Sequence, residues 1–218
     1  MVLLSVCNYL SAQVNMASSD TIGTNTSRNV KQYTIDQFYK SSEVFGGDIS
    51  SDEKKLLVTS NENGIYNAYE IDIANGQKQA LTSSAKESIF ANSYVPGTTN
   101  IIYNSDKGGN EISHLYLRKT NGEVKDLTPG NEEKAQFWGW SRDNKYLYYL
   151  SNKRDQKFFD LYKMDTIKWT SEIFYKNDKG LDAGAISDNE RYLVLVENLA
   201  TSSNNIFLVD QQSKQTKK

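Results

Sequence analysis

Apolar residues recur along the chain in short runs separated by polar turns, and the runs come in sets of four. In the first set, apolar and aromatic positions predict strands over residues 44–50, 55–60, 67–73 and 77–83. Ser51-Asp52-Glu53, Asn61-Glu62-Asn63-Gly64 and Ala74-Asn75-Gly76 lie between them, residue types that favour tight turns. The second strand of each set is nearly continuous in its apolar character: Leu56-Leu57-Val58, Ile101-Ile102-Tyr103, Tyr146-Leu147-Tyr148-Tyr149-Leu150 and Tyr192-Leu193-Val194-Leu195-Val196. Such a run predicts a strand covered on both faces. The third strand alternates more and is expected nearer the outside. Leu57, Ile102, Leu147 and Leu193 are expected at equivalent buried positions, one per set.

Landmarks hold the sets to one period. Ser51-Asp52-Glu53-Lys54-Lys55-Leu56-Leu57 recurs at Ser141 and again at Ser187, and Pro96-Gly97-Thr98-Thr99-Asn100-Ile101-Ile102 stands where a fourth copy falls. An aromatic marks the third strand at Tyr69, Tyr116, Tyr162 and Phe207; Asp72, Asp165 and Asp210 close that strand, with Lys119 in the matching place. Leu81-Thr82, Leu127-Thr128 and Ile173-Phe174 mark the fourth strand. Four antiparallel strands repeating every ~45 residues predict an all-β fold, a β-propeller of four blade units over residues 44–84, 85–130, 131–178 and 179–218. A β-sandwich has turns at similar intervals but no reason to keep such a period. The fourth copy of the Leu-Thr landmark falls beyond Lys218. The pattern therefore predicts an incomplete arc whose last blade lacks its outermost strand, in a fragment of a longer protein.

Ahead of the blades, Thr34 and Gln37 are spaced as a capping box, with Ile35, Phe38 and Tyr39 on one face; a lead-in helix is expected within residues 33–43. Residues 1–13 combine a short apolar stretch with Ser11-Ala12-Gln13 and read as a partial signal peptide, so the protein is expected to be periplasmic or secreted. Val6 is too large for a lipoprotein box before Cys7. Residues 14–32 are Ser-, Thr- and Asn-rich and read as a disordered linker.

Composition narrows the function. With 25 Lys+Arg against 27 Asp+Glu there is no large basic face, which argues against nucleic acid as a partner. No apolar run approaches the ~20 residues of a membrane-spanning helix. One Cys and one His leave no multi-cysteine metal site and only one possible base for a catalytic triad, so no cofactor is expected.

The unit Ser-x-Asp-x-Lys-x-Leu, Ser-Asn-(x)-Gly, aromatic-x-x-Asp and Leu-Thr resembles the propeller repeats of the prolyl oligopeptidase family of serine peptidases, and those of periplasmic translocation propellers. Tyr33-Thr34-Ile35-Asp36-Gln37-Phe38 and the segments 61–69, 105–111 and 151–162 favour the peptidases, bacterial dipeptidyl- and acylaminoacyl-peptidase-like members in particular. The resemblance covers residues 33–218. It implies a propeller that admits short peptides to a C-terminal α/β-hydrolase domain carrying a Ser-Asp-His triad. The sequence contains no Gly-x-Ser-x-Gly nucleophile elbow, so the resemblance carries no catalytic residue onto this chain. The alternative is a stand-alone periplasmic propeller that binds a protein partner, or a small complete four-bladed ring.

Candidate site residues are few. Arg154 and Asp155, in the long hairpin of the third unit, are placed to line the substrate channel or grip a peptide terminus; the plain alternative is a solvated ion pair. His114 heads a third strand, either as a base or ligand or as a hydrogen-bonded strand-edge residue. Ser105-Asp106-Lys107-Gly108-Gly109-Asn110-Glu111 has the oxygens of a calcium loop but not EF-hand spacing, and fits a hairpin turn. In Phe137-Trp138-Gly139-Trp140, strict alternation would put both Trp on one face, as a stacking platform or as wedges between blades.

Overall fold

In the computed structural model, residues 30–39 and 41–218 are described. The expected signal peptide and nearly all of the expected linker lie outside them. The described residues fall into two units, 30–39 and 41–218. In the first, α1 (Ile35–Tyr39) is a one-turn helix. Its capping box is formed: the Thr34 N–H donates to Gln37 Oε1 at 3.0 Å and the Gln37 N–H to Thr34 Oγ1 at 3.2 Å.

The second unit contains four antiparallel sheets of four strands each, every sheet ordered as in the sequence. The first holds β1 (Val44–Ile49), β2 (Lys55–Ser60), β3 (Asn67–Asp72) and β4 (Lys78–Ala80). The second holds β5 (Ile89–Tyr94), β6 (Ile101–Ser105), β7 (His114–Arg118) and β8 (Val124–Asp126). The third holds β9 (Ala135–Trp140), β10 (Tyr146–Asp155), β11 (Phe158–Asp165) and β12 (Ser171–Tyr175). The fourth holds β13 (Asp182–Ile186), β14 (Tyr192–Ala200), β15 (Ser203–Asp210) and β16 (Gln215–Lys217). These are propeller blades, and no apolar cluster or hydrogen bond among the described residues joins the first sheet to the fourth.

The last blade corrects one expectation: β16 pairs with β15 through Leu208–Lys217, Val209–Thr216 and Asp210–Gln215, so its outer strand is present. In the first two blades the Leu-Thr landmark follows the outer strand, with Leu81-Thr82 after β4 and Leu127-Thr128 after β8. There the Thr hydroxyl accepts the N–H of the third strand's second residue, Thr82 from Ala68 and Thr128 from Leu115, both at 2.9 Å.

Side-chain caps explain the other landmarks. In the turn between first and second strands, Ser50, Ser141 and Ser187 donate to Asp52, Asp143 and Asn189 and accept the N–H of Lys55, Tyr146 and Tyr192. Glu53, Asn144 and Glu190 follow in left-handed backbone, at φ of 57–59°. The repeat Ser of the first unit is thus Ser50, not Ser51. Leu57 and Ile102 face the following blade, whereas Leu147 and Leu193 face the preceding one. All four are buried, because the strand is covered on both sides and burial does not report register. Asp72, Asp165 and Asp210 each accept two backbone N–H groups of the turn after the third strand.

Every innermost strand carries a bulge at the same place: Phe45/Asp48, Ala91/Ser93, Gly139/Phe137 and Ala183/Ala185 bracket it. A bulge adds twist, which suits strands gathered around an axis. At Gly184 an added Cβ would sit 3.2 Å from a Val194 methyl, so the fourth bulge is closely packed. In the third blade the extra residue is Trp138. It turns Trp138 toward the fourth blade and leaves Trp140 against the second, correcting the expectation that both share a face.

The turn carboxylates predict a pH dependence. Hydrogen bonds from Ser141 and Lys145 hold Asp143 at about 2, and Arg191 with two turn N–H groups holds Asp210 at about 2. A carboxylate depressed by folding stabilises the native state above its unfolded value of about 3.9, and the gain disappears as pH falls toward the folded value. The melting temperature is expected to fall between pH 4 and pH 2, and an Asp143→Asn/Asp210→Asn double variant should lose less over that window. An equal loss in both proteins would contradict this.

Candidate functional site

One repeat position near the start of each third strand is polar: Asn67, His114, Asp160 and Asn205, paired with Ser60, Ser105, Ser151 and Glu197 of the second strands. Each reaches a neighbouring segment. Asn67 Oδ1 accepts from Thr82 Oγ1 and the Ser84 N–H. His114 Nδ1 pairs with Asp126 Oδ2 at 2.8 Å, and Asn205 donates to Glu197 at 2.7 Å. The Asn67 tie fastens its hairpin to the connection that leaves the first blade, the His114 tie reaches the end of β8, and the Asn205 bond stays within its own hairpin.

The third blade has the strongest tie, and it is where Arg154 lies. Arg154 Nε donates to Asp160 Oδ2 at 2.5 Å and Nη2 to Oδ1 at 2.7 Å, a bidentate pair with Asp160 fully buried. Nη2 also donates to the Asn177 carbonyl at 3.1 Å, and Nη1 lies 3.2 Å from Asp178. The Asn177 N–H donates to Asp160 Oδ1 at 2.7 Å, and its side chain bonds the Phe159 and Leu181 carbonyls. One guanidinium therefore locks the hairpin, the start of β11 and the connection leading to the fourth blade. The bond to Asp160 raises the Arg154 pKa further above its usual range, so it stays charged. Asp155 is 4.0 Å from Arg154, accepts the Lys157 N–H in the hairpin turn and keeps an exposed carboxylate. Arg154 thus pairs closely with the buried Asp160 and reaches Asp155 only at 4.0 Å.

The other candidates divide. His114 is buried and stacks on Tyr116 at 6.2 Å; its partner is a carboxylate, with no nucleophile in the pair. In the 105–111 turn, Asp106 accepts the Glu111 N–H and Asn110 the Ile112 N–H, and Gly108 and Gly109 supply left-handed backbone. These oxygens cap their own turn. No three His, Cys, Asp or Glu side chains among the described residues are grouped to hold a metal. Trp138 Nε1 donates to the Ala183 carbonyl at 3.2 Å and Trp140 Nε1 to Ser93 Oγ at 2.8 Å, so both indoles work between blades. Asp48 joins that set: its Oδ2 accepts from Ser93 Oγ at 2.6 Å and the Tyr94 N–H at 2.7 Å. Sequence reasoning missed Asp48, Asp160 and Asn177. Only Asp160 carried a signal, a carboxylate six residues from Arg154 across a hairpin.

With this geometry in view, comparison with known proteins is informative. Over 158 residues, 70% of the chain, the sequence is 32% identical to dipeptidyl aminopeptidase BIII of Pseudoxanthomonas mexicana. The chain resembles the propeller part of a bacterial dipeptidyl aminopeptidase. It spans 22% of that relative's length. Dipeptidyl peptidase 4 of Porphyromonas gingivalis superposes with a TM-score of 0.57 at 13% identity, over 80% of this chain and 25% of that one. TolB of Acinetobacter baumannii superposes with a TM-score of 0.58 at 18% identity, over 80% of this chain and 43% of that one. At these identities the superpositions establish the fold alone. No protein-family model matches the chain.

Removing one partner of a buried ion pair strands the other. Arg154→Ala is expected to cost about 3–5 kcal/mol in urea unfolding. Asp160→Asn added to it should restore part of that loss. A cost under about 1 kcal/mol would show a solvated pair instead.

Proposed function

We propose that these blades serve as the non-catalytic propeller region of an exported peptidase of the prolyl oligopeptidase family, periplasmic or secreted. In this reading they act with a C-terminal α/β-hydrolase domain of the parent protein and control which short peptides reach its active site. The observation that carries the reading is the 32% identity over 158 residues with a dipeptidyl aminopeptidase, sustained through most of the blades. The chemistry of the chain agrees with a non-catalytic role. Its one His pairs with Asp126, and the sequence holds no nucleophile elbow. Packed sheets tied by buried polar groups are suited to forming a stiff wall around a passage. Arg154 would act there by fixing the hairpin, and the exposed carboxylate of Asp155 is the group left to meet a peptide amine.

A second reading is a stand-alone propeller that binds a protein partner in the periplasm; the superposition on TolB supports it only as far as a shared fold. The reading frame beyond the codon for Lys218 separates the two. Continuation through further blades to a Gly-x-Ser-x-Gly segment is expected, together with no turnover of a chromogenic dipeptidyl anilide by the 218-residue chain itself. An immediate stop codon in the genomic sequence would contradict the peptidase reading. So would turnover abolished by replacing a Ser of this chain.

A further inference from the structure

The last residue of each innermost strand occupies one position of the repeat: Ile49, Tyr94, Trp140 and Ile186, paired with Leu56, Ile101, Leu147 and Leu193. In two blades it is an aromatic wedge with a polar tip that reaches back into the preceding blade. Tyr94 is buried in the seam between the first and second blades, and its hydroxyl donates to Glu70 at 3.0 Å. Trp140 closes the seam between the second and third blades through its bond to Ser93. In the seam between the third and fourth blades the residue is Ile186, which has no ring and no polar tip.

A cavity of about 290 Å³ lies at that place, with Trp138, Trp140, Tyr148 and Ile186 on its apolar side and a larger polar side that includes Arg142, Asp188 and Glu190. Tyr148 is 1% exposed, and its hydroxyl has no hydrogen-bond partner. Burial pushes its pKa up, and so does the Glu190 carboxylate toward which the hydroxyl is directed beyond ordinary hydrogen-bond reach, so it remains a donor. The walls are themselves held. Trp138 meets Tyr148 edge-on at 5.9 Å, Tyr148 meets Phe174 at 5.3 Å, and Glu190 is fixed by Lys163 at 2.5 Å. Lys163 stands at the repeat position of Glu70, the residue that receives the Tyr94 hydroxyl in the first seam. A buried orphan hydroxyl is costly. A preformed space that sets an apolar, aromatic side against a polar side suits an amphipathic ligand, and its size suits one ring system.

We propose that the seam between the third and fourth blades is a binding pocket for a single aromatic ring carrying one hydrogen-bonding group, an indole or a phenol. The ligand supplies from outside the wedge that Tyr94 and Trp140 supply from within the chain. Its ring packs against Trp138 and Ile186; an indole N–H donates to the Tyr148 oxygen or to the Glu190 carboxylate, and a phenol hydroxyl can donate to Glu190 while accepting from Tyr148. This holds whether or not the blades serve a peptidase.

Isothermal titration of the 218-residue chain with indole and, separately, with N-acetyltryptophanamide tests it. Saturable binding of one equivalent is expected. Binding of indole alone identifies a free small molecule as the ligand class, and binding of both identifies an aromatic side chain presented by a peptide. Tyr148→Phe should weaken binding about five- to tenfold, the loss of roughly one hydrogen bond. Ile186→Trp should raise the melting temperature and abolish binding, because the chain then fills its own seam; Ile186→Phe serves the same purpose if the larger ring is not accommodated. Absence of saturable binding by both probes, or binding unchanged by filling position 186, would overturn the proposal.

Discussion

A strand that is apolar on both faces has to be covered on both faces, and in this protein only a neighbouring blade can do that. Ile101 packs toward the first blade and Ile102 toward the third; Leu147 packs toward the second and Tyr148 toward the fourth. One strand thereby belongs to two cores, and each sheet is held by its neighbours more than by itself. Removing apolar surface from water supplies the force, and its lack of direction leaves the angle between blades unset. Direction comes from the polar contacts of the innermost strands: Asp48 on Ser93 and Tyr94, Trp140 on Ser93, and Trp138 on the Ala183 carbonyl.

The bulge near the end of each innermost strand links these two requirements. It adds twist where the strands converge and changes which way the following side chains point. In the third blade it sends Trp138 and Trp140 to opposite seams, so one short segment stitches three blades together. The same geometry makes a wedge position out of the strand's last residue. Where that residue is aromatic the seam is closed, and where it is Ile186 a cavity lined by a buried hydroxyl lies beside it. Function on such a scaffold resides in local departures from the repeat, since many activities share the fold.

The architecture was legible because its causes are local. Turn caps such as Ser141 with Asp143, or Asp165 with its two turn N–H groups, act within a few residues and recur with the period. What was not legible depends on partners far apart in the chain. A one-residue slip between Ser50 and Ser51 does not change the burial of a strand that is apolar throughout. Bulges have no shared sequence mark when the extra residue is glycine at 47 and 184 but Asn92 and Trp138 in the other two blades. Arg154 and Asp155 were singled out as neighbours, yet the guanidinium finds its match across the hairpin, in Asp160, where two carboxylate oxygens meet the fork. The Ile186 wedge position emerges only once the four innermost strands are aligned by their pairing.

If the seams hold the array together, protection from solvent should follow the number of seams a strand belongs to. Native-state hydrogen exchange on the 218-residue chain measures this strand by strand. Amides of β6 and β10, covered by a blade on each side, should exchange slowest. Those of β2 and β14 should be faster, and those of β4, β8 and β16 fastest. Equal protection of β14 and β10, or outer strands as protected as inner ones, would show that each blade is stable by itself and would contradict this account.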